Sequence, residues 1–171
     1  MQFNSPLLNA LRRAARDDRG SQLVETALTL LVLMGLILGV IQGSMAVYSY
    51  HYLANAAHEA TRYAIVRGTG WGTSCASYGS SQCTASADNI RNWVANRGFP
   101  GINITPSEVY VSYFSTPQTS TSMNCSDGST TPLGAGNIVQ VTICYPYTFS
   151  LPAFGTYTYH LGSTSQMMIA Q

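Results

Sequence analysis

The sequence predicts an α+β protein in which a long N-terminal helix precedes a small domain with a short helix and an antiparallel sheet of about three or four strands. Residues 21–67 combine a long uncharged apolar run with helical spacing of their later side chains. Three later segments alternate apolar and polar residues, the pattern of half-buried strands; they are EVYVSYF, NIVQVTICYPY and TYTYHLGSTSQMMIA. A chain of 171 residues accommodates one globular domain and an appendage.

The apolar run predicts a membrane span. No charged residue occurs between Ala27 and Val47, and the clearly polar side chains there are Thr29, Gln42 and Ser44. Twenty-one helical residues reach about 30 Å, the thickness of a bilayer core. A cleaved secretory signal is the main alternative, but its apolar region has only about 7 to 15 residues.

The arginines predict the orientation of this span. Lys is absent, and four of the eight Arg precede the apolar run: Arg12, Arg13, Arg16 and Arg19. Because orientation follows the basic residues near a span, we expect the N-terminus in the cytoplasm and the C-terminal part exported. The expected organisation is a basic leader at 1–20, a helix at 21–67 with its span at 27–47, and an exported domain at 68–171. A charged content of 9% does not favour binding to nucleic acid.

The helix is expected to continue beyond the membrane surface. Its later side chains recur at three- and four-residue spacings, which predicts one amphipathic stripe; the stripe is Tyr48, Tyr52, Ala56, Ala60, Tyr63 and Ala64. Arg62 and Arg67 fall in the last turns, where cations suit the helix dipole, and Gly68 is the expected stop. From residue 22 to 66 the helix would reach about 65 Å, so part of it must project from the membrane or pack against other copies.

A second, short helix is predicted at ADNIRNWVANR, with Ser86 as its cap and Gly98 at its end. Ile90, Trp93 and Val94 share one face of it. This apolar face is too small to be stable alone, so we expect it to pack on the long helix or on the sheet.

The cysteines predict two disulfides. All four lie in the exported part, which is oxidising, and their number is even; they are Cys75, Cys83, Cys125 and Cys144. We favour Cys125 with Cys144, which would tie a long polar segment to a predicted strand, and Cys75 with Cys83. The two other pairings and four buried free thiols remain alternatives. The spacings do not resemble those of a zinc site.

The cytoplasmic edge of the apolar run carries a possible processing motif. The sequence RGSQLVE places Glu25 five residues after Gly20, directly before the apolar helix. This arrangement resembles the processing site of type IV prepilins, which implies cleavage after Gly20 and Ser21 as the new N-terminus. Glu25 would then pair with the freed ammonium of a neighbouring subunit and set the register, since breaking a buried pair costs about 3 to 5 kcal/mol. Alternatively, Glu25 only complements the helix dipole.

The residues that follow resemble a narrower family. RGSQLVE, the apolar helix and the segment NAAHEATRYA are similar to the N-terminal region of TadE-like proteins, pseudopilins of tight-adherence (Flp) pilus systems. The likeness covers about residues 19–67. It implies a bacterial inner-membrane protein whose partners are a prepilin peptidase and other pilin-like subunits or copies of itself in a filament. The family often has an acid and then a base midway along the helix, where this chain has Gln42 and Met45.

Glycines mark a possible helix-packing face. Gly35, Gly39 and Gly43 form two overlapping G-x3-G units, which allow helices to approach closely in lipid. Glycine is also frequent in membrane helices without such a role. His51 and His58 are seven residues apart, but without a third ligand they are better interpreted as surface or interface residues than as a metal site.

The leading functional hypothesis is therefore a pilin-like structural or assembly subunit of a bacterial pilus. The alternative is an uncleaved single-pass envelope protein that acts as an adhesion or binding module. We expect no enzymatic activity, cofactor or metal, because no nucleophile with its base, carboxylate pair or phosphate-binding loop occurs at a usable spacing.

Overall fold

The computed structural model describes residues 18–68, 84–98, 101–119, 123, 125–128, 134–151 and 155–170. In chain order its elements are helix α1 (Asp18–Ile65), helix α2 (Ala87–Ala95), a 3-10 turn (Pro106–Glu108) and strands β1 (Val109–Phe114), β2 (Ile138–Leu151) and β3 (Gly155–Met168). The α+β prediction is confirmed. The chain divides into two compact units, Met1–Gly43 and Ser44–Gln171.

The described part of the first unit is the N-terminal portion of α1. Its side chains from Gly20 to Leu36 are all exposed, although most of them are apolar. The threonines in this portion satisfy their hydroxyls within the helix, since Thr26 donates to the Gln22 carbonyl at 2.6 Å and Thr29 to the Thr26 carbonyl at 2.9 Å. A helix that satisfies its own polar groups and exposes apolar side chains is suited to lipid.

In the second unit, the C-terminal portion of α1 packs against the sheet. Leu53, Ala57, Ala60 and Ala64 are fully buried at helical spacing. Small alanines let the helix backbone approach the sheet closely, and Leu53 supplies the larger apolar contact. On the sheet, the matching buried face is Val109, Val111, Tyr113, Val139, Val141 and Ile143.

Helix α2 completes this core. Ser86 caps it as predicted, accepting a hydrogen bond from the Asn89 backbone N–H at 3.3 Å. Ile90 and Val94 are buried, and Trp93 stacks on Tyr63 of α1 with ring centroids 4.8 Å apart. The short helix therefore contributes to the same core as the long helix and the sheet.

The sheet is antiparallel with the order β1-β2-β3. Strand β1 pairs with β2 only from Ile138 to Ile143, whereas β2 and β3 pair along all fourteen residues of each. Beyond Ile143 the hairpin therefore continues as a two-stranded ribbon, which we define as residues 145–151 and 155–161.

Described residues of the polar segment between β1 and β2 contact the sheet face opposite α1. Cys125 is bonded to Cys144 of β2, the pairing favoured from the sequence, whereas Cys75 and Cys83 lie outside the described residues. Gly162 pairs with Cys144, and Met123 lies where any side chain at Gly162 would be placed. The glycine thus makes room for the returning segment.

The free edge of β1 is covered by a charged pair. The Asp127 carboxylate accepts a hydrogen bond from the Val111 N–H at 3.2 Å, and the Arg91 guanidinium donates to the Val109 carbonyl at 3.1 Å. Arg91 and Asp127 also contact each other at 2.6 Å. Partial burial opposes the charge of Arg91, but its hydrogen bonds to Asp127 and Asp88 outweigh this effect and raise its pKa. Covering an edge in this way hinders pairing with a foreign strand.

Candidate functional site

The residues of the predicted processing motif lie in the first turns of α1. Because α1 begins at Asp18, the Gly20–Ser21 peptide bond is inside the helix rather than ahead of it. Gly20, Ser21 and Glu25 are all exposed, and among the described residues a Cβ placed on Gly20 would meet no atom within 4 Å. In the described part of the chain, no ion pair involves Glu25. Ser21 and Glu25 are four residues apart and therefore share a helix face.

The predicted span presents large apolar side chains in every direction. Leu31 is 69% exposed, Leu36 63% and Val40 61%. A continuous apolar surface of this kind requires lipid or other helices as its surroundings. Among the described residues, α1 is the one helix long and apolar enough to cross a membrane, with a mean hydropathy of 2.4 in its most apolar window.

The glycine stripe is open. A Cβ placed on Gly35, Gly39 or Gly43 would meet no atom within 4 Å, so no described part of this chain fills the space beside them. Glu25 and Gly43 are eighteen residues, or about five turns, apart and thus point to the same side of an ideal helix. The motif and the stripe are therefore both available to a second molecule.

Comparison with known families identifies this region. The family model described as TadE-like protein matches residues 20–62. This segment is TadE-like. The resemblance predicted from the sequence is confirmed over these residues, and it supports association with a Tad pilus system and with other pilin-like subunits. No curated protein and no solved structure shows a significant match to the chain. The single apolar helix of the TadE-like segment fits membrane anchoring in such a system.

The second half of the TadE-like segment packs against the domain of its own chain. In the sequence NAAHEATRYA, Ala57, Ala60 and Ala64 are buried in the domain core. Glu59 faces outward, and its carboxylate forms an ion pair with the Arg97 guanidinium at an N–O distance of 3.0 Å. Thr61 is buried and hydrogen bonded to Ser165 of β3 at 3.0 Å. This part of the motif therefore attaches the helix to its own sheet and α2.

A groove lies between α1 and α2 beside this motif. It has a volume of about 320 Å³ and is lined by Tyr48, His51, Tyr52, Asn55, Ala56, Glu59, Trp93, Val94 and Arg97. The Tyr52 hydroxyl donates to the Arg97 carbonyl at 2.9 Å. Burial, followed by the nearby charge of Glu59, raises the pKa of Tyr52, so the phenol remains a neutral donor. A groove with aromatic walls and one ion pair is suited to noncovalent binding of another molecule.

Residues of α2 and of the turn after it contribute to this groove in a way that the sequence did not predict. Arg97 lies over the Trp93 ring, with its guanidinium carbon 4.4 Å from the ring centroid, while it pairs with Glu59. Thirty-eight residues separate Arg97 from Glu59, and no local periodicity links them. His51 lines the groove, whereas His58 is exposed elsewhere on α1, and the described residues hold no group of three metal-ligating side chains.

Proposed function

We propose that this chain is a pilin-like structural or assembly subunit of a Tad pilus. Its span at 27–47 holds it in the bacterial inner membrane with the N-terminus in the cytoplasm and the sheet domain in the periplasm or outside the cell. A prepilin peptidase removes residues 1–20, and the helix then packs with other pilin-like subunits or with copies of itself. The observation that carries the proposal is the exposed apolar TadE-like helix, which has Gly20 and Glu25 in its first turns.

The geometry of the first turn supports processing at Gly20. Cleavage requires an extended, accessible peptide bond, and glycine in a helix costs about 1 kcal/mol relative to alanine. The first turn therefore needs little free energy to unwind at this position. Gly20 is exposed, and no described atom lies within 4 Å of a Cβ placed on it, which supports access by a peptidase.

Glu25 supports assembly after cleavage. Its carboxylate lies at the start of an apolar helix surface, where a free charge is unfavourable once helices bundle. The new ammonium at Ser21 of a neighbouring subunit would neutralise it. Because Gly35, Gly39 and Gly43 leave a flat surface, helices can approach closely enough to bring such a pair together.

We assign no catalytic role to the chain. The open surfaces of the TadE-like segment are apolar or glycine-lined, and the groove beside it combines aromatic rings with an ion pair. Both suit contact with other chains.

N-terminal analysis of the native protein tests processing. Ser21 is the expected first residue, and a Gly20→Leu variant is expected to retain the leader. Gly98→Leu is a matched control, because a Cβ placed there also meets no described atom within 4 Å. An intact Met1 in the mature protein would contradict the proposal and favour the uncleaved adhesion module.

Glu25→Gln tests registration separately from processing. We expect this variant to lose its leader normally but to be incorporated into filaments at least tenfold less than the native chain. Glu59→Gln is the control, because Glu59 is also an exposed carboxylate of α1 but pairs within its own chain. Equal incorporation of both variants would remove Glu25 from the assembly mechanism.

A further inference from the structure

The ribbon of β2 and β3 is an exposed structure without charged groups. From Tyr145 to Leu161 the sequence YPYTFSLPAFGTYTYHL contains no Asp, Glu, Lys or Arg. Within its described residues, Tyr157 is 56% exposed and Tyr159 is 63% exposed. Two-stranded hairpins are marginally stable in water by themselves, so packing against another surface would stabilise this ribbon.

The two faces of the ribbon differ in chemistry. Directly paired residues of antiparallel strands point to the same side of a sheet. Tyr147 pairs with Tyr159 and Phe149 pairs with Tyr157, so these four rings share the side that carries the core residue Ile143. The other side carries only small or polar residues: Pro146, Thr148, Ser150, Thr156, Thr158 and His160.

Contacts within the second unit give the direction of the ribbon relative to α1. Two residues beyond the C-terminal end of β3, the Ala170 N–H donates to the Ile65 carbonyl at 3.2 Å. Further back along β3, Ser165 contacts Thr61. The hairpin thus follows α1 backward, toward the N-terminal end of the helical part of this unit.

The base of the ribbon lies level with the end of the predicted span. Tyr147 lines a cavity together with Met45, Tyr48 and Ser49 of α1. Apolar residues end at Val47, and exposed Tyr48 and Tyr50 follow. Tyrosines at this position are typical of the belt at a membrane–water interface. The ribbon extends past Tyr147 by four more residue pairs.

We propose that the aromatic ribbon is a second membrane contact, which rests in the lipid headgroup region beside the exit of the helix. This inference depends on the membrane anchoring in the proposed function. Tyrosine suits the headgroup region because its ring is apolar and its hydroxyl is polar. The absence of charge over seventeen residues favours lipid over the polar rim of a protein interface. The ribbon would restrain the tilt of the domain on the bilayer before assembly.

Quenching of tryptophan by brominated lipid tests this contact. The full-length chain is reconstituted in phosphatidylcholine–phosphatidylglycerol vesicles whose acyl chains carry bromine near the headgroup or near the bilayer centre. Three variants are compared with the native chain, whose Trp71 and Trp93 give the background: Tyr157→Trp on the ribbon, Leu36→Trp in the span, and Thr116→Trp just after β1, at the opposite end of the sheet.

For Tyr157→Trp, we expect bromine near the headgroup to reduce the added fluorescence at least twofold. For Leu36→Trp, we expect the same reduction from bromine near the bilayer centre. For Thr116→Trp, we expect neither lipid to reduce it. Quenching at Leu36→Trp without quenching at Tyr157→Trp would overturn the ribbon contact and leave the anchor intact. An absence of quenching in both Tyr157→Trp and Leu36→Trp would overturn the membrane anchor as well. If Tyr157→Trp is protected from aqueous acrylamide only at high protein-to-lipid ratio and is not quenched by bromine, the occupant is a second copy of the chain and the lipid proposal is wrong.

Discussion

The two portions of α1 are both apolar, but they carry side chains of different size. The portion in the first unit exposes Leu, Ile, Val and Met, whereas the portion packed on the sheet buries mainly Ala57, Ala60 and Ala64. Lipid accommodates large side chains of any shape, so their size is not restricted there. A folded sheet requires close approach of the helix backbone, which alanine permits. Hydrophobicity alone therefore does not decide which part of a helix is buried in its own domain.

The largest expected difference between the two portions comes from matched leucine truncations. Leu53→Ala removes a fully buried side chain and should lower the free energy of unfolding of the domain by about 2 to 5 kcal/mol. Leu36→Ala, in the exposed portion, should leave this value within about 0.5 kcal/mol. Denaturant unfolding of the full chain in detergent, followed by tryptophan fluorescence, measures both free energies. Equal effects would mean that the domain core does not include α1 as described.

The disulfide should have the next largest effect, and again only on the domain. Cys125 and Cys144 are separated by 19 residues, and closing a loop of this size stabilises a fold by about 3 kcal/mol. The double variant Cys125→Ser, Cys144→Ser should unfold at correspondingly lower denaturant concentration. It should also be cleaved faster by protease within the polar segment before β2. Unchanged protease sensitivity would show that Met123 and Asp127 hold the segment without the bridge.

Alkaline pH should destabilise the domain through Tyr113. Its hydroxyl is buried, donates to the Ala85 carbonyl at 2.7 Å, and has a pKa raised by burial to about 12. The unfolded state loses this proton near pH 10 while the folded state keeps it, so the stabilisation is complete below pH 10 and is lost as pH rises to about 12. The loss should be about 2 to 3 kcal/mol.

Tyr113→Phe should remove this part of the pH dependence, at the cost of one hydrogen bond or about 1 kcal/mol at neutral pH. Unfolding curves at pH 8, 10 and 11.5 for the two chains measure the difference. Tyr157→Phe, at an exposed tyrosine, is the matched control and should follow the native chain. Parallel curves for Tyr113→Phe and the native chain would contradict the assignment.

The Glu59–Arg97 ion pair should have a small effect, because both side chains are more than half exposed. A double-mutant cycle with Glu59→Gln and Arg97→Gln should give a coupling energy of about 0.2 to 1 kcal/mol, which decreases at high salt. Arg97→Gln alone should cost more than Glu59→Gln alone, because it also removes the contact with the Trp93 ring. A coupling above this range would indicate a less hydrated pair than the structure describes.

Gly39→Val should have the smallest effect on domain stability, near zero, because the glycine stripe contacts no described part of the chain. Its effect should appear in self-association within lipid, where a β-branched side chain would separate two helices packed along the stripe. Energy transfer between labelled copies in vesicles measures this. Val40→Leu, one residue further along the helix, is the control and should leave association unchanged.

The sequence predicted the elements whose pattern is local. The apolar run, the capped short helix at Ser86 and the three alternating strands follow from periodicity and capping, and all are present. The favoured bridge between Cys125 and Cys144 also followed, because one cysteine lay in a strand and the other in the segment it could tie down.

Sequence by itself determined that this chain has an apolar TadE-like helix, a glycine stripe and a C-terminal domain with four cysteines, because each depends on composition or spacing along one segment. Only the tertiary structure decided which residues meet across segments. It brought Glu59 to Arg97, placed Arg91 and Asp127 on the edge of β1, and aligned the ribbon with Tyr48. These contacts depend on strand register and on the packing of α1 against the sheet, which arise from the shapes of many side chains together and leave no periodic pattern to read.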